Sequence, residues 1–293
     1  MTGDPADDIT SASASTASAS TVSASTGSAG PGPDAFDTSV AHIARVYNYW
    51  LGGKDNYAAD REAAEQVIAA YPPIYTSVRA QRAFLGRAVH YLVAEAGIRQ
   101  FLDIGTGLPS ASNTHEVAQR EAPECRIVYV DKDPIVLAHA RALLTSSPQG
   151  ATEYVDADLR DTAEILKQAA GILDFGKPVA VMLLGVLHCI PDDDGPGAIV
   201  TRLLAAVPSG SYLVIAHPAS DVAVDKMATS MRNYNKQARD PVTARSHGQV
   251  SGFFEGLDLV EPGMVQLHRW RAGVGDLAAD RELANYGGVG RKP

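Results

Sequence analysis

Three short stretches carry residue types and spacings that could bind and react. The first is FLDIGTGLP, residues Phe101–Pro109: an apolar lead, an acid at Asp103, then Gly105, Thr106 and Gly107. Glycines there permit a tight turn and a close backbone approach to a ligand. The second is YVDKDP, which places Asp131 and Lys132 about two dozen residues past the loop. An acid at that strand tip is positioned to accept hydrogen bonds from both hydroxyls of a ribose. The third is VDADLRD, which offers Asp158 and Leu159 for the edge and face of an adenine, or is a turn rich in aspartate.

Asp103 separates the candidate ligands. A carboxylate at the mouth of the loop repels a pyrophosphate and attracts a cation. The third glycine of a dinucleotide fingerprint would fall at position 110, which is Ser110. Both facts favour S-adenosylmethionine, which carries a sulfonium and an ammonium and no phosphate, over NAD. The alternative role for Asp103 is to cap the loop through backbone N–H groups. Asp133, just before Pro134, fits the cap of the following helix.

Methyl transfer is an in-line displacement in which the protein mainly positions the acceptor and excludes water. A base is required only where the acceptor loses a proton. GVLHCIPDDD, near residues 185–194, supplies His188 as the candidate base, with Gly185 and Val186 beside it. A histidine at a strand end is also a common structural residue. His217 in IAHP is a second candidate. Asp192–Asp194 fits an acid cluster at a helix start rather than a metal site. Tyr234 and Asn235 either wall an acceptor pocket or lie on an ordinary polar helix face, the reading favoured here. No metal-ligand spacing is found.

These residues need elements to hold them. Short apolar runs alternate with helical stretches from residue 98 onward, which predicts a parallel sheet wrapped by helices. The strands fall at Gln100–Ile104, Arg126–Val130, Thr152–Val155, Val179–Leu184 and Tyr212–Ala216. Helices are expected at Asn113–Glu121, Pro134–Leu144, Thr162–Leu173 and Gly197–Val207, and a polar helical section over Asp221–Arg239. Leu257–Val260 and Val265–Trp270 around Pro262-Gly263 predict an antiparallel hairpin at one end of the sheet. Upstream, Val40–Leu51, Asp60–Ala70 and Ser77–Ala96 read as three helices. Residues 1–34, rich in Ser, Ala and Thr, cannot bury enough apolar surface to order and read as a disordered tail.

The stretch RVYNYWLGGKDNYAADR crowds aromatic, amide and charged groups around a double glycine. It is either a lid over the ligand or a helix–turn–helix brace. As a lid, it would bring aromatics such as Tyr49 to a sulfonium and Arg45 or Lys54 to a carboxylate.

The chain has 293 residues and a net charge of −9, with 45% hydrophobic and 20% charged residues. Such a chain builds a sizeable core and is a poor partner for nucleic acid or an anionic membrane. Cys125 and Cys189 show no paired spacing. The acidic N-terminus lacks the charge pattern of a secretion signal, so a cytoplasmic location is expected.

Taken together, LDIGTGLP, YVDKDP, DADLRD and LLGVLHCIPD resemble the class I S-adenosylmethionine-dependent methyltransferases. ARVYNYWLGGKDNYAADREAAE, IGTGLPSASNTHEVAQ and VDKDPIVLAHARALL are similar to one actinobacterial group among them, described only as S-adenosyl methyltransferases. The resemblance runs from about Ser39 to Trp270. It implies a Rossmann-like α/β sheet of seven strands, the last antiparallel, and it favours the lid reading of the N-terminal block. One departure is Pro109, where the common loop has a further glycine. The organisation expected is therefore a tail over 1–34, a helical extension or lid over 35–97, the methyltransferase domain over 98–273 and a C-terminal tail over 274–293. The function expected is methyl transfer to the N or O of a small molecule. The alternatives are a catalytically silent S-adenosylmethionine-binding or interaction protein and, less favoured, an NAD(P)-dependent oxidoreductase.

Overall fold

The chain's apolar strands alternate their side chains between two faces, and each face is covered by a helical layer. Phe101, Ile127, Tyr129, Met182 and Val214 pack to one side with Phe84, Leu85 and Ala88, and Leu102, Val128, Val181, Leu183 and Leu213 to the other. The structure is a computed structural model that describes residues 37–143, 145–273 and 282–293, without the side chains of 141–143.

Three helices lead in: α1 (Ile43–Trp50), α2 (Ala58–Ala70) and α3 (Ile74–His90). The last turn of α3 widens into a π-helical segment, Tyr91–Glu95, and the chain leaves through Gly97 at φ +72°. There follow β1 (Gln100–Ile104), α4 (Thr114–Glu121), β2 (Arg126–Asp131), α5 (Pro134–Leu143), β3 (Ala151–Asp156) and α6 (Thr162–Ala169). Next come β4 (Ala180–Leu184), α7 (Pro196–Ala205), β5 (Tyr212–Pro218), α8 (Val224–Asn235) and α9 (His247–Gly252). Three strands close the order: β6 (Asp258–Leu259), β7 (Val265–Gln266) and β8 (Asn285–Arg291).

The sheet runs β3-β2-β1-β4-β5-β8-β6, with β7 also on β8. The pairs among β1–β5 are parallel, and β8 is antiparallel to β5. The predicted strands match within a residue or two, and the α/β class with an antiparallel last strand is observed.

Two expectations change at the C-terminal side. The segment 257–270 is not a self-paired hairpin: β6 and β7 each pair with β8. Residues 285–291 are not a tail, because β8 lies between β5 and β6 inside the sheet. Its sequence, NYGGVGR, hides the strand, since glycine weakens strand propensity. The glycines are required by close packing: a Cβ on Gly287 would lie 2.2 Å from Leu267 Cδ2 and 3.1 Å from Phe84 Cζ. The tail over 1–34 and residues 274–281 lie outside the described residues.

A third apolar cluster stands at the carboxyl ends of the strands. It joins Val46 and Trp50 of α1, Ala63 and Val67 of α2, Val78 of α3 and Tyr234 of α8. This cap is built from two distant parts of the chain, and it roofs the strand tips that carry the candidate chemistry.

Candidate active site

A cavity of about 450 Å³ lies between the strand tips and the cap. Ligands in open α/β sheets bind at this edge. Of the residues singled out from sequence, Asp103, Gly105, Thr106, Gly107, Asp131, Lys132, Asp158, Leu159, Gly185, Val186 and His188 all line it.

The loop after β1 takes its shape from glycine. Gly105 sits at φ +75°, and a Cβ there would lie 2.4 Å from Val186 Cβ. Gly185 sits at φ +82°, with Gln81 Nε2 where its Cβ would be, at 2.6 Å. The loops after β1 and β4 thus meet with Val186 filling the space where a Cβ on Gly105 would lie. Gln81 Nε2 donates to Leu184 O at 3.1 Å and ties α3 to this junction. Beyond the loop, Ser110 N donates to Asn113 Oδ1 at 3.2 Å, and the Asn113 N–H donates to Glu116 Oε2 at 3.0 Å. These bonds, with the Asn113–Glu116 capping box, fix the cap of α4 at Asn113, past the position of a third glycine.

Asp103 is 5% exposed. Its Oδ2 accepts from Thr114 Oγ1 at 2.6 Å. Burial raises its pKa to about 6, against the pull of the Thr114 hydrogen bond and of Arg82, with Asp131 adding to the rise. Asp131 is also pushed up by burial, although its oxygens accept from the N–H groups of Gly107 and Asp133, each at 2.9 Å. Neither carboxylate has an ion-pair partner within 4.0 Å among the described residues. Two acids at adjacent strand tips, Asp103 buried and Asp131 half-buried, therefore face one cavity with no salt-bridge partner, which is a site that favours a cation.

Arg82, missed from sequence, stands at the same end. Its Nη2 donates to Ala111 O at 2.9 Å and Ser112 O at 2.8 Å, and its buried Nε has no partner.

Three of the candidate cofactor-binding residues are not in the cavity lining. Arg45 is buried in the brace: its Nε donates to Asp60 Oδ1 at 3.1 Å and its Nη2 to Val40 O at 2.6 Å. Tyr49 donates its hydroxyl to Glu65 Oε1 at 2.5 Å on the outer side. Lys54 is exposed. The fully buried Asp60 on α2 and the outward Glu65 claim the first two, so α1 turns Tyr47 and Asn48 to the cavity instead. The block is thus a brace through Arg45 and a roof through Tyr47.

Three side-chain contacts fasten the cap to the edge of β2 and α5. His42 Nδ1 lies 2.9 Å from Asp133 Oδ2, His139 Nε2 lies 3.5 Å from Asp55 Oδ1, and Lys132 Nζ lies 3.1 Å from Asp240 Oδ2. Lys132 also reaches Asp158 at 3.5 Å.

His188 is half-buried in the wall, and its enclosed Nδ1 has no partner. Burial, with help from the Arg245 charge, lowers its pKa to about 4, so it is neutral at neutral pH. Its loop is held by Arg245, which is 2% exposed. Arg245 donates to Leu187 O at 2.9 Å, to Ile190 O at 2.7 Å and to Asp192 Oδ1 at 2.7 Å. His217 is not in the cavity lining. Its Nδ1–H donates to Pro218 O and its Nε2 accepts from Arg245, both at 2.9 Å, so it is structural. Asn235 is likewise structural, bracing Val242 with both amide atoms. Tyr234 does line the cavity, contrary to the favoured expectation of a polar helix face.

Comparison with known proteins agrees with this geometry. A family profile described as S-adenosyl methyltransferase matches residues 30–293. The structure of a DUF574 family protein from Streptomyces avermitilis MA-4680 is 45% identical, with a TM-score of 0.85, covering 88% of this chain and 99% of that one. The structure of a candidate methyltransferase from Thermobifida fusca YX is 37% identical, with a TM-score of 0.81, covering 90% and 99%. No curated protein matches. Among the described residues, no helix is long and apolar enough to cross a membrane. The chain belongs to the S-adenosyl methyltransferase family and is an S-adenosylmethionine-dependent methyltransferase.

Proposed function

We propose that this enzyme methylates an N or O atom of a small molecule, with S-adenosylmethionine held at the tips of β1 and β2. The observation that carries the reading is the pair of carboxylates without a salt-bridge partner, Asp103 and Asp131, on one cavity. Asp131 would accept from the ribose hydroxyls, using lone pairs left beside its two backbone bonds. Asp103 would hold the ammonium and Arg82, through its free Nε–H, the carboxylate. Asp158 and Leu159 would take the adenine edge and face. Lys132, in the same lining, fastens Asp158 to the cap.

Bound there, the cofactor supplies a methyl carbon made electrophilic by its sulfonium. The chain's own contribution is positioning, exclusion of water by the cap, and reception of the acceptor's proton. His188 is the group suited to that last role, being neutral and unpartnered in the same wall. The cavity volume is that of a single drug-sized ligand or two small ones, which supports a small acceptor. Calorimetric titration with S-adenosylhomocysteine and with NAD tests the cofactor reading. Tight binding of the first and none of the second is expected, and the converse overturns it.

A further inference from the structure

The acceptor end of the cavity carries a chemical signature of its own. Met227, Ser230, Met231 and Tyr234 fall on one face of α8, at spacings of three and four, and all four line the cavity. Tyr47 and Trp50 of α1 line it as well. Within this apolar wall three polar side-chain atoms are buried with no partner: His188 Nδ1, Ser230 Oγ and Tyr234 Oη. Ser230 is 1% exposed and Tyr234 is 2% exposed. Buried polar groups in native proteins are nearly always paired. All three orphan atoms belong to residues that line one cavity.

The charges exclude most ligand classes. Two of the other carboxylates lining the cavity already face a cation, Asp158 with Arg160 and Asp240 with Lys132, and the half-exposed Asp55 lies 3.5 Å from His139 Nε2. A cationic amine would find no free carboxylate beyond Asp103 and Asp131, which the cofactor takes. Lys132 and Arg160 are paired, so an anionic acceptor would find no free cation beyond Arg82. Aromatic rings and methionine sulfurs suit a flat ring.

We infer that the acceptor is an uncharged aromatic hydroxy compound, whose reacting hydroxyl meets His188 and whose second polar contact is made by Ser230 and Tyr234. The inference rests on the cofactor site proposed above. In the step, the hydroxyl oxygen bonds to the methyl carbon as the carbon–sulfur bond breaks. The electron pair of that bond stays on sulfur, and the hydroxyl proton passes to the His188 imidazole. A phenol gives up its proton to a neutral imidazole far more readily than an aliphatic alcohol does.

The test uses the full chain saturated with S-adenosylhomocysteine and four naphthalene probes. These are 2-naphthol, 2-methoxynaphthalene, 2-naphthoic acid and 2-(aminomethyl)naphthalene, with affinity read by calorimetry. The naphthol is expected to bind at least about tenfold more tightly than the acid or the amine. Ser230→Ala and Tyr234→Phe are expected to weaken it about five- to tenfold while leaving S-adenosylhomocysteine affinity unchanged. Without ligand, Tyr234→Phe is expected to keep or raise the melting temperature, because it removes an unpaired hydroxyl, whereas a structural role would lower it. The inference is overturned if the charged probes bind as well as the naphthol, if none of the four binds, or if both variants keep full naphthol affinity. Loss of S-adenosylhomocysteine binding in the unmodified protein would instead sink the cofactor reading.

Discussion

Asp131, at the tip of β2, accepts the backbone N–H of Gly107 at 2.9 Å and so locks the loop after β1 to the neighbouring strand. One carboxylate thus serves the loop's shape and the proposed ribose site together. Asp131→Ala is expected to weaken S-adenosylhomocysteine binding by on the order of 2–3 kcal/mol, measured by calorimetry. Asp131→Asn keeps an acceptor oxygen and is expected to lose less. Wild-type affinity in the alanine variant would remove Asp131 from the cofactor site.

Cofactor affinity is expected to depend on pH through Asp103. The free protein's carboxyl is raised to about 6 by burial. An ammonium beside it favours the ionised form, so the complex titrates lower than the free protein. Affinity is therefore full above about pH 6 and falls as the pH drops through that value. Asp103→Asn should flatten most of this dependence, the remainder reporting Asp131, whose titration is shifted in the same direction. Titrations between pH 5 and 8 decide the matter, and an unchanged slope in the variant would refute it.

Arg82 is expected to read the amino-acid end of the cofactor. Arg82→Met should weaken S-adenosylhomocysteine by about 1.5–3 kcal/mol, the range for a hydrogen bond to a charged group. It should leave 5′-methylthioadenosine, which lacks that carboxylate, nearly unaffected. Equal losses for the two ligands would mean that Arg82 acts only by holding the loop at Ala111 and Ser112.

Arg245→Ala is expected to destabilise the fold by about 3 kcal/mol, because two carbonyls and His217 lose a buried donor. Denaturant unfolding measures it. The same change removes a positive charge that holds down the His188 pKa, which should rise. A His188 resonance titrating where it does in the parent protein would contradict the described packing.

The sequence made the strand-tip chemistry legible because a strand's end is marked by where its apolar run stops, and the residue at that stop must sit at the sheet's edge. Asp103, Asp131 and His188 were found that way. The face that a helix turns inward is different, since it depends on partners far along the chain. Arg45 and Tyr49 looked fit for a ligand until Asp60 and Glu65 on α2 engaged them. Arg82 gave no signal, because only the turn at Ala111 and Ser112 reveals that it stands over the cavity. β8 was lost for a steric reason. Its glycines look like a flexible end, yet Leu267 and Phe84 press so closely that nothing larger fits at Gly287.

The position of β8 bears on how the protein is made. While a nascent chain has emerged only as far as β5, that strand has no partner on its outer side, and its row of backbone groups is open to pairing with another chain. Only when residues 285–291 leave the ribosome does the gap between β5 and the short β6 fill. The sheet is thus completed late, after the cap's helices have been synthesised, and the waiting edge is where misassembly during translation would begin.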